Sequence, residues 1–270
     1  MSEQNIIDRT KLPITVKTIV EQLRMLGVHE GDMLLVHSSL SALGWVCGGA
    51  QAVVQALLQA VGEGGTLIMP AQSGDWSDPS EWGNPPVPEE WIEIIYNELP
   101  AFDPSITPTR GMGRIAELFR TVPGTVRSTH PQVSFCANGR QAAEIVYGHP
   151  LTPQFGMDSP LGKLYRGGAK VLLLGVGYDS CTSFHLAEAI IPDMPTKKMG
   201  TAIMEDGERT WKWFTDFAYD SGDFDQLGKQ FGRECAKRFG RVGNADCFLF
   251  DMEEAVDFAV EWLANNRAMN

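Results

Sequence analysis

Apolar positions along the chain alternate between a helical and a strand rhythm. In residues 14–26, Val16, Ile19, Val20, Leu23 and Leu26 recur at helical spacing, and Gly27 supplies a stop. Residues 33–37 form a short apolar run after the Gly31-Asp32 turn and read as a buried strand. Residues 50–61 read as a helix ending at Gly62, and residues 66–69 as the next strand, stopped by Pro70. Strand, helix, strand is the order that favours parallel pairing and an α/β architecture.

Residues 71–88 break the rhythm. They are rich in Pro, Gly, Ser, Asp and Trp, and read as a long excursion in which Trp76 and Trp82 argue against simple disorder. Helical spacing predicts helices over residues 91–99, 113–119 and 142–146. Residues 201–213 alternate around Asp206-Gly207, a hairpin signal. A helix over 224–239, a strand over 247–250 and a closing amphipathic helix over 253–265 complete the chain. From Pro195 onward the pattern is α+β rather than strand-helix alternation. No repeat or low-complexity tract interrupts it.

Composition narrows the function. The chain has 270 residues, 43% of them hydrophobic, enough for a substantial core. The formal charge of −12, from 22 basic and 34 acidic residues, speaks against nucleic acid and against anionic lipid. It suits a cationic small molecule, although ordinary acidic solubility is the simpler account. Five scattered cysteines without a C-x-x-C pair argue against disulfides and zinc, and suit a reducing compartment. With no signal-like start and no apolar run of spanning length, the expectation is a soluble, cytoplasmic protein.

Chemistry concentrates where strands end. Residues 171–174 form a strand that breaks at Gly175 and Gly177 and leads to Thr182, His185 and Glu188 at three-residue spacing. Neighbours three apart on a helix place His185 between a hydroxyl and a carboxylate, the makings of a general base. Cys181 lies four residues before His185, so a Cys-His nucleophile pair is equally permitted by spacing. The bland reading makes Thr182 an N-cap and His185 a satisfied core residue. After the first strand, His37, Ser38, Ser39 and Leu40 precede Gly44, Gly48 and Gly49 and a helix. Such a turn can cradle phosphate, or simply cap a helix; it is neither a Walker A loop nor G-x-G-x-x-G. Gly111 and Gly113 permit close approach of a ligand, His130 is either a ligand contact or a structural donor, and Ser159-Pro160 opens a helix.

Five segments taken together carry a resemblance: VHSSLSALGWVCGGA, TPTRGMGRIAELFR, STHPQVSF, GMDSPLGKLY and LLLGVGYDSCTSFHLAE. In order and spacing the chain resembles the aminoglycoside 3-N-acetyltransferases of the antibiotic N-acetyltransferase family, over nearly its whole length. The resemblance implies one domain over residues 1–270, with residues 195–245 as an α+β subregion. The fold it implies is a three-layer α/β/α sandwich with a central mixed sheet and a smaller α+β C-terminal portion. It implies acetyl-CoA as co-substrate, no metal, and direct transfer to a small-molecule amine, with a homodimer left open. His185 would be the general base, Glu188 its orienting partner, and Thr182 a neighbour of the thioester. His37, Ser38, Ser39 and Leu40 would meet the pyrophosphate, and Met112, Gly113, Phe155 and Ser159 the pantetheine. Asp75 and Trp76 of the excursion, or Asp220 further on, offer carboxylates and an aromatic face to a polyamine acceptor. The choice of His185 over Cys181 rests on the resemblance. The other readings are a Cys181-His185 hydrolase or acyl-enzyme transferase, and a non-catalytic protein that sequesters CoA or antibiotic.

Overall fold

A computed structural model describes residues 3–267. In chain order the helices and strands are α1 (Glu3–Asp8), α2 (Val16–Leu26), β1 (Met33–Ser38), α3 (Leu40–Leu43), α4 (Gly49–Val61), β2 (Thr66–Pro70), α5 (Ile92–Glu98), α6 (Gly113–Arg120), β3 (Val126–Arg127), β4 (Phe135–Gly139), α7 (Ala142–Val146), α8 (Pro160–Arg166), β5 (Lys170–Leu174), α9 (Phe184–Ile190), β6 (Thr196–Glu205), β7 (Glu208–Phe217), α10 (Phe224–Glu234), β8 (Arg238–Val242), β9 (Ala245–Asp251) and α11 (Met252–Arg267). Single 3₁₀ turns punctuate the excursion and the exit from β5.

Among the described residues, seven strands form one sheet in the order β3-β4-β2-β1-β5-β9-β8. The β1–β2 and β1–β5 pairs are parallel and the outer pairs antiparallel, so the sheet is mixed. Alternation sorts its side chains onto two faces. Leu34, Val36, Leu67, Met69, Leu172 and Leu174 pack with α2, α4 and α6. Met33, Leu35, Ile68, Val171 and Leu173 pack with α7, α8, α9, α10 and α11. The result is the expected three-layer sandwich. No helix among the described residues is long and apolar enough to cross a membrane.

Local chemistry explains several boundaries. Thr15 caps α2 by accepting the Thr18 amide at 3.2 Å, and Gly27 ends it with φ of 109°. The β6–β7 hairpin pairs Glu205 with Glu208 across Asp206 (φ 52°) and Gly207 (φ 84°), the left-handed pair that a two-residue turn requires. It runs longer than the alternation shows and stands as a separate two-stranded sheet.

Other boundaries differ from the sequence pattern. The helix expected over 224–239 stops at Glu234, and Arg238–Val242 becomes an edge strand paired with β9. Much of the C-terminal portion therefore completes the main sheet. β4, with the sequence FCANG, carries no β-branched residue; its strand conformation follows from pairing with β2.

Buried histidines stiffen this edge of the sheet. His130 Nδ1 accepts the amides of Gln132 and Val133, both at 3.1 Å, and Nε2 donates to the Leu151 carbonyl at 3.2 Å. His149 bonds Ser128 Oγ at 2.9 Å and the Gln154 carbonyl at 2.7 Å. His130 is thus a structural residue. Burial, with the charge of His149, holds His130 well below the usual histidine pKa, and burial brings His149 down to about 4. Unfolded histidines take up protons near pH 6.5, so below that pH the unfolded state binds more protons. Stability should fall as the pH drops from about 6.5 towards 4, by about 1.4 kcal/mol per unit for each such histidine. Urea titrations between pH 7 and 5 measure this slope, and His149→Gln should flatten it; a slope unaffected by that substitution would contradict the assignment.

Candidate active site

The parallel strands β1 and β5 end side by side, with His37 opposite Leu173 and Ser38 opposite Leu174. The chain leaves β1 towards β2 on one side, while β5 lies on the other. Connections diverging from the carboxyl ends of neighbouring strands open a crevice there. A cleft of about 1080 Å³ occupies this position. Its walls are the β1 exit from Val36 to Ser41, Gly48 and Gly49 at the start of α4, Pro70 at the end of β2 with Gln72 just beyond, the segment Gly111 to Arg114, and the β5 exit with Cys181, Thr182 and His185. Gly175 makes that exit: at φ 72°, a Cβ there would lie 2.6 Å from the Ala42 Cβ.

His185 and Glu188 sit one turn apart on α9. His185 Nδ1 is 2.5 Å from Glu188 Oε2. A carboxylate accepts, so Nδ1 carries the hydrogen of this bond, and in the neutral ring Nε2 is the accepting nitrogen. The imidazole stacks on Phe155 (centroids 4.7 Å apart, planes 9°), with Phe224 at 4.7 Å and Tyr219 at 5.7 Å, edge to face. These rings fix its plane. The ring lines the cleft, whereas Glu188 is fully buried. Glu188 Oε1 accepts the Asp220 amide at 2.9 Å and the Arg267 guanidinium. Burial opposes the Arg267 charge, but hydrogen bonds to Asp223 and Glu188 outweigh it and hold the guanidinium above its ordinary pKa.

Thr182 lines the cleft in the turn before α9, and its carbonyl accepts the His185 amide at 3.0 Å. The helix starts only at Phe184, so Thr182 is neither inside it nor its N-cap. Cys181 is buried, its Sγ 3.0 Å from Ser183 Oγ, and burial pushes its thiol up to about 12. Its partner is Ser183, not His185. His37 is brought to about 3 by burial and then by the His185 charge, so it is neutral, with Nε2 buried and unpartnered.

Ser38, Ser39, Leu40, Met112 and Gly113 line the cleft with His37. The Ser39 amide is committed to the Leu174 carbonyl at 3.0 Å. At the first turns of the two following helices, the Ala42 amide of α3 bonds the Ser39 carbonyl at 3.3 Å and the Gly49 amide of α4 bonds the Val46 carbonyl at 2.9 Å. Phe155 and Ser159 lie outside the lining; Phe155 supports the His185 ring, and Ser159 is buried with an unpartnered hydroxyl. The acceptor candidates Asp75, Trp76 and Asp220 lie outside this lining and have partners of their own. Asp75 pairs with Arg110 at 3.2 Å, and Trp76 Nε1 donates to the Pro100 carbonyl at 2.8 Å. The Asp220 carboxylate accepts the Gly222 amide at 2.9 Å, while its own amide serves Glu188. Sequence reasoning overlooked Trp45 and Arg114, which line the cleft, and Arg267, which bonds Glu188; Tyr219, beside Asp220 in the sequence, packs against the histidine ring. Arg114 follows directly on Gly113, and its charge was a signal open to reading.

A strand-end cleft with an oriented histidine defines an enzyme-like site, and the relatives of the chain say of which kind. The family model described as aminoglycoside 3-N-acetyltransferase matches residues 35–264. A SPbeta prophage-derived aminoglycoside N(3')-acetyltransferase-like protein, YokD, of Bacillus subtilis (strain 168) is 48% identical, covering 99% of this chain and 98% of its own. Its crystal structure superposes with a TM-score of 0.97 over 99% of each chain. Aminoglycoside N(3)-acetyltransferase IX of Micromonospora chalcea is 34% identical over 97% of this chain and 98% of its own. A structure of AAC-IIIb binary with CoASH matches at 30% identity and a TM-score of 0.83, over 94% of this chain and 97% of the other. The chain belongs to the aminoglycoside 3-N-acetyltransferase family and is an acyltransferase.

The thiols supply a check on the geometry. Under native conditions iodoacetamide should label the exposed Cys47 and spare Cys181, as read by peptide mass spectrometry. Comparable labelling of Cys181 would contradict a buried, protonated thiol.

Proposed function

We propose that the chain transfers the acetyl group of acetyl-CoA directly to an amino group of an aminoglycoside or similar amine, at the 3-N position by family, with His185 as general base. The observation that carries this reading is the His185–Glu188 pair, one ring edge on the cleft and the other bound at 2.5 Å to a buried carboxylate. A CoA-bound relative supports the donor. The cleft, at about 1080 Å³, lies at the upper end of small-ligand pockets of roughly 300–1,000 Å³, which suits a donor as large as acetyl-CoA.

The chemistry follows from the groups present. As the amine nitrogen bonds to the thioester carbon, Nε2 of His185 takes its proton, and Glu188 stabilises the imidazolium. The Thr182 hydroxyl or a nearby amide holds the oxyanion. When the C–S bond breaks, the imidazolium returns the proton to the departing thiolate. The segment His37 to Leu40, with its serine hydroxyls, and the Arg114 charge receive the phosphates of CoA; Met112 and Gly113 line the path of its pantetheine arm. Phe155 acts through the histidine ring rather than through the pantetheine. Antibiotic inactivation in a reducing, cytoplasmic setting is the role this chemistry suits.

The Cys181 acyl-enzyme reading is disfavoured by the thiol's burial and its Ser183 partner. Thiol release from acetyl-CoA with a panel of aminoglycosides tests the proposal. Substituting His185→Asn should lower the rate about 10²–10⁴-fold, whereas Cys181→Ser should remain near the parent. Loss in the cysteine variant with activity kept in the histidine variant would overturn the mechanism.

A further inference from the structure

We propose that Arg267, at the C-terminal end of α11, is a positioning residue that keeps the His185–Glu188 pair free of an extra proton at neutral pH. The inference rests on the reading of His185 as the base, and concerns a residue beyond the segment, 35–264, that the family model matches.

The argument begins with the carboxylate. Glu188 is fully buried, and its two oxygens divide the work: Oε2 meets His185, and Oε1 meets the Asp220 amide and the Arg267 guanidinium. Arg267 is itself held in place. Its Nε donates to Asp223 Oδ2 at 2.8 Å, and Nη2 donates to Asp223 Oδ1 and to the Asp220 carbonyl, each at 2.6 Å. The guanidinium therefore clamps the segment before α10 against α9, and it brings a full positive charge onto the carboxylate that faces the histidine.

The groups around the pair come from several elements. Glu188 lies on α9 itself, His37 at the end of β1, and Tyr219 between β7 and α10; Arg267 on α11 contacts Glu188, and Asp223 contacts Arg267. Asp220 meets Glu188 through its amide while its carboxylate accepts the Gly222 amide, and Phe155 and Phe224 are uncharged. His37 is neutral, and Asp223 is the counter-ion of Arg267 rather than of His185. Among the described residues, Arg267 is thus the cation in contact with the pair. Without it, the buried negative charge would be shared between the histidine and a proton. Whether that proton sits on Nε2 or on the carboxyl, the pair holds it to higher pH, and a base already protonated cannot accept from the amine.

The test needs no acceptor. Histidine side chains labelled with ¹³C are titrated by NMR, and the His185 resonance is assigned by its loss in His185→Asn. In Arg267→Gln the midpoint should rise by about one unit or more, while Arg267→Lys, which restores a cation, should return it towards the parent value. Folding of both variants is checked by the chemical shifts of His130 and His149. An unmoved midpoint in a folded Arg267→Gln variant overturns the inference, as does a midpoint that Arg267→Lys fails to restore. A His185→Asn protein that still transfers acetyl groups at the parent rate would instead overturn the underlying reading, so the two failures are distinct.

Discussion

A carboxylate with no access to water governs this structure. Removing an ionised carboxylate from solvent is costly unless each lone pair finds a donor. Glu188 finds them on three separate parts of the chain: the imidazole one turn earlier on α9, the Asp220 amide after β7, and Arg267 at the end of the last helix. That requirement brings α9, α11 and the segment before α10 to one point. It also fixes the histidine: with Nδ1 donating to Glu188, Nε2 is the basic nitrogen. Stacking on Phe155 and contact with Phe224 and Tyr219 hold the ring plane that the hydrogen bond selects.

The sheet supplies the other half of the arrangement. β1 and β5 run in parallel with matched ends, so the loop carrying His37 to Leu40 and the loop carrying Thr182 face the same crevice. The first presents the Ser38 and Ser39 hydroxyls, and the second leads into α9, which presents the His185 imidazole. The acidity of the chain as a whole is distributed differently. Of its 34 Asp and Glu residues, only Glu3 and Asp179 line the cleft among the described residues. Carboxylates of the excursion tie it to neighbouring elements, with Asp78 accepting from Tyr96 of α5 at 2.7 Å and Glu81 pairing with Lys197 of β6 at 3.0 Å. Net charge therefore says little about how an acceptor is held.

What could be read from the sequence depended on range. The three-residue spacing of His185 and Glu188, the glycine that ends β5, and the Asp206-Gly207 turn are local features, and each is present as its pattern suggests. Strand β4 was not legible because pairing with β2, rather than propensity, makes it a strand. Arg267 lies 79 positions from Glu188, and no spacing rule joins them. The roles expected of Asp75, Trp76 and Asp220 were drawn from composition, and composition does not reveal that Arg110, the Pro100 carbonyl and the Gly222 amide already engage them. His130, ambiguous before an extended proline, proved to be a scaffold for neighbouring amides.

The central claim is that Glu188 acts on the chemistry through His185. Glu188→Gln preserves shape while removing the charge that orients and stabilises the imidazolium. Calorimetry of acetyl-CoA binding, paired with single-turnover thiol release in the presence of an aminoglycoside, tests it directly. The account predicts binding close to the parent with transfer slowed about 100-fold or more. Transfer at the parent rate in the folded variant, or a loss confined to acetyl-CoA binding, would contradict it.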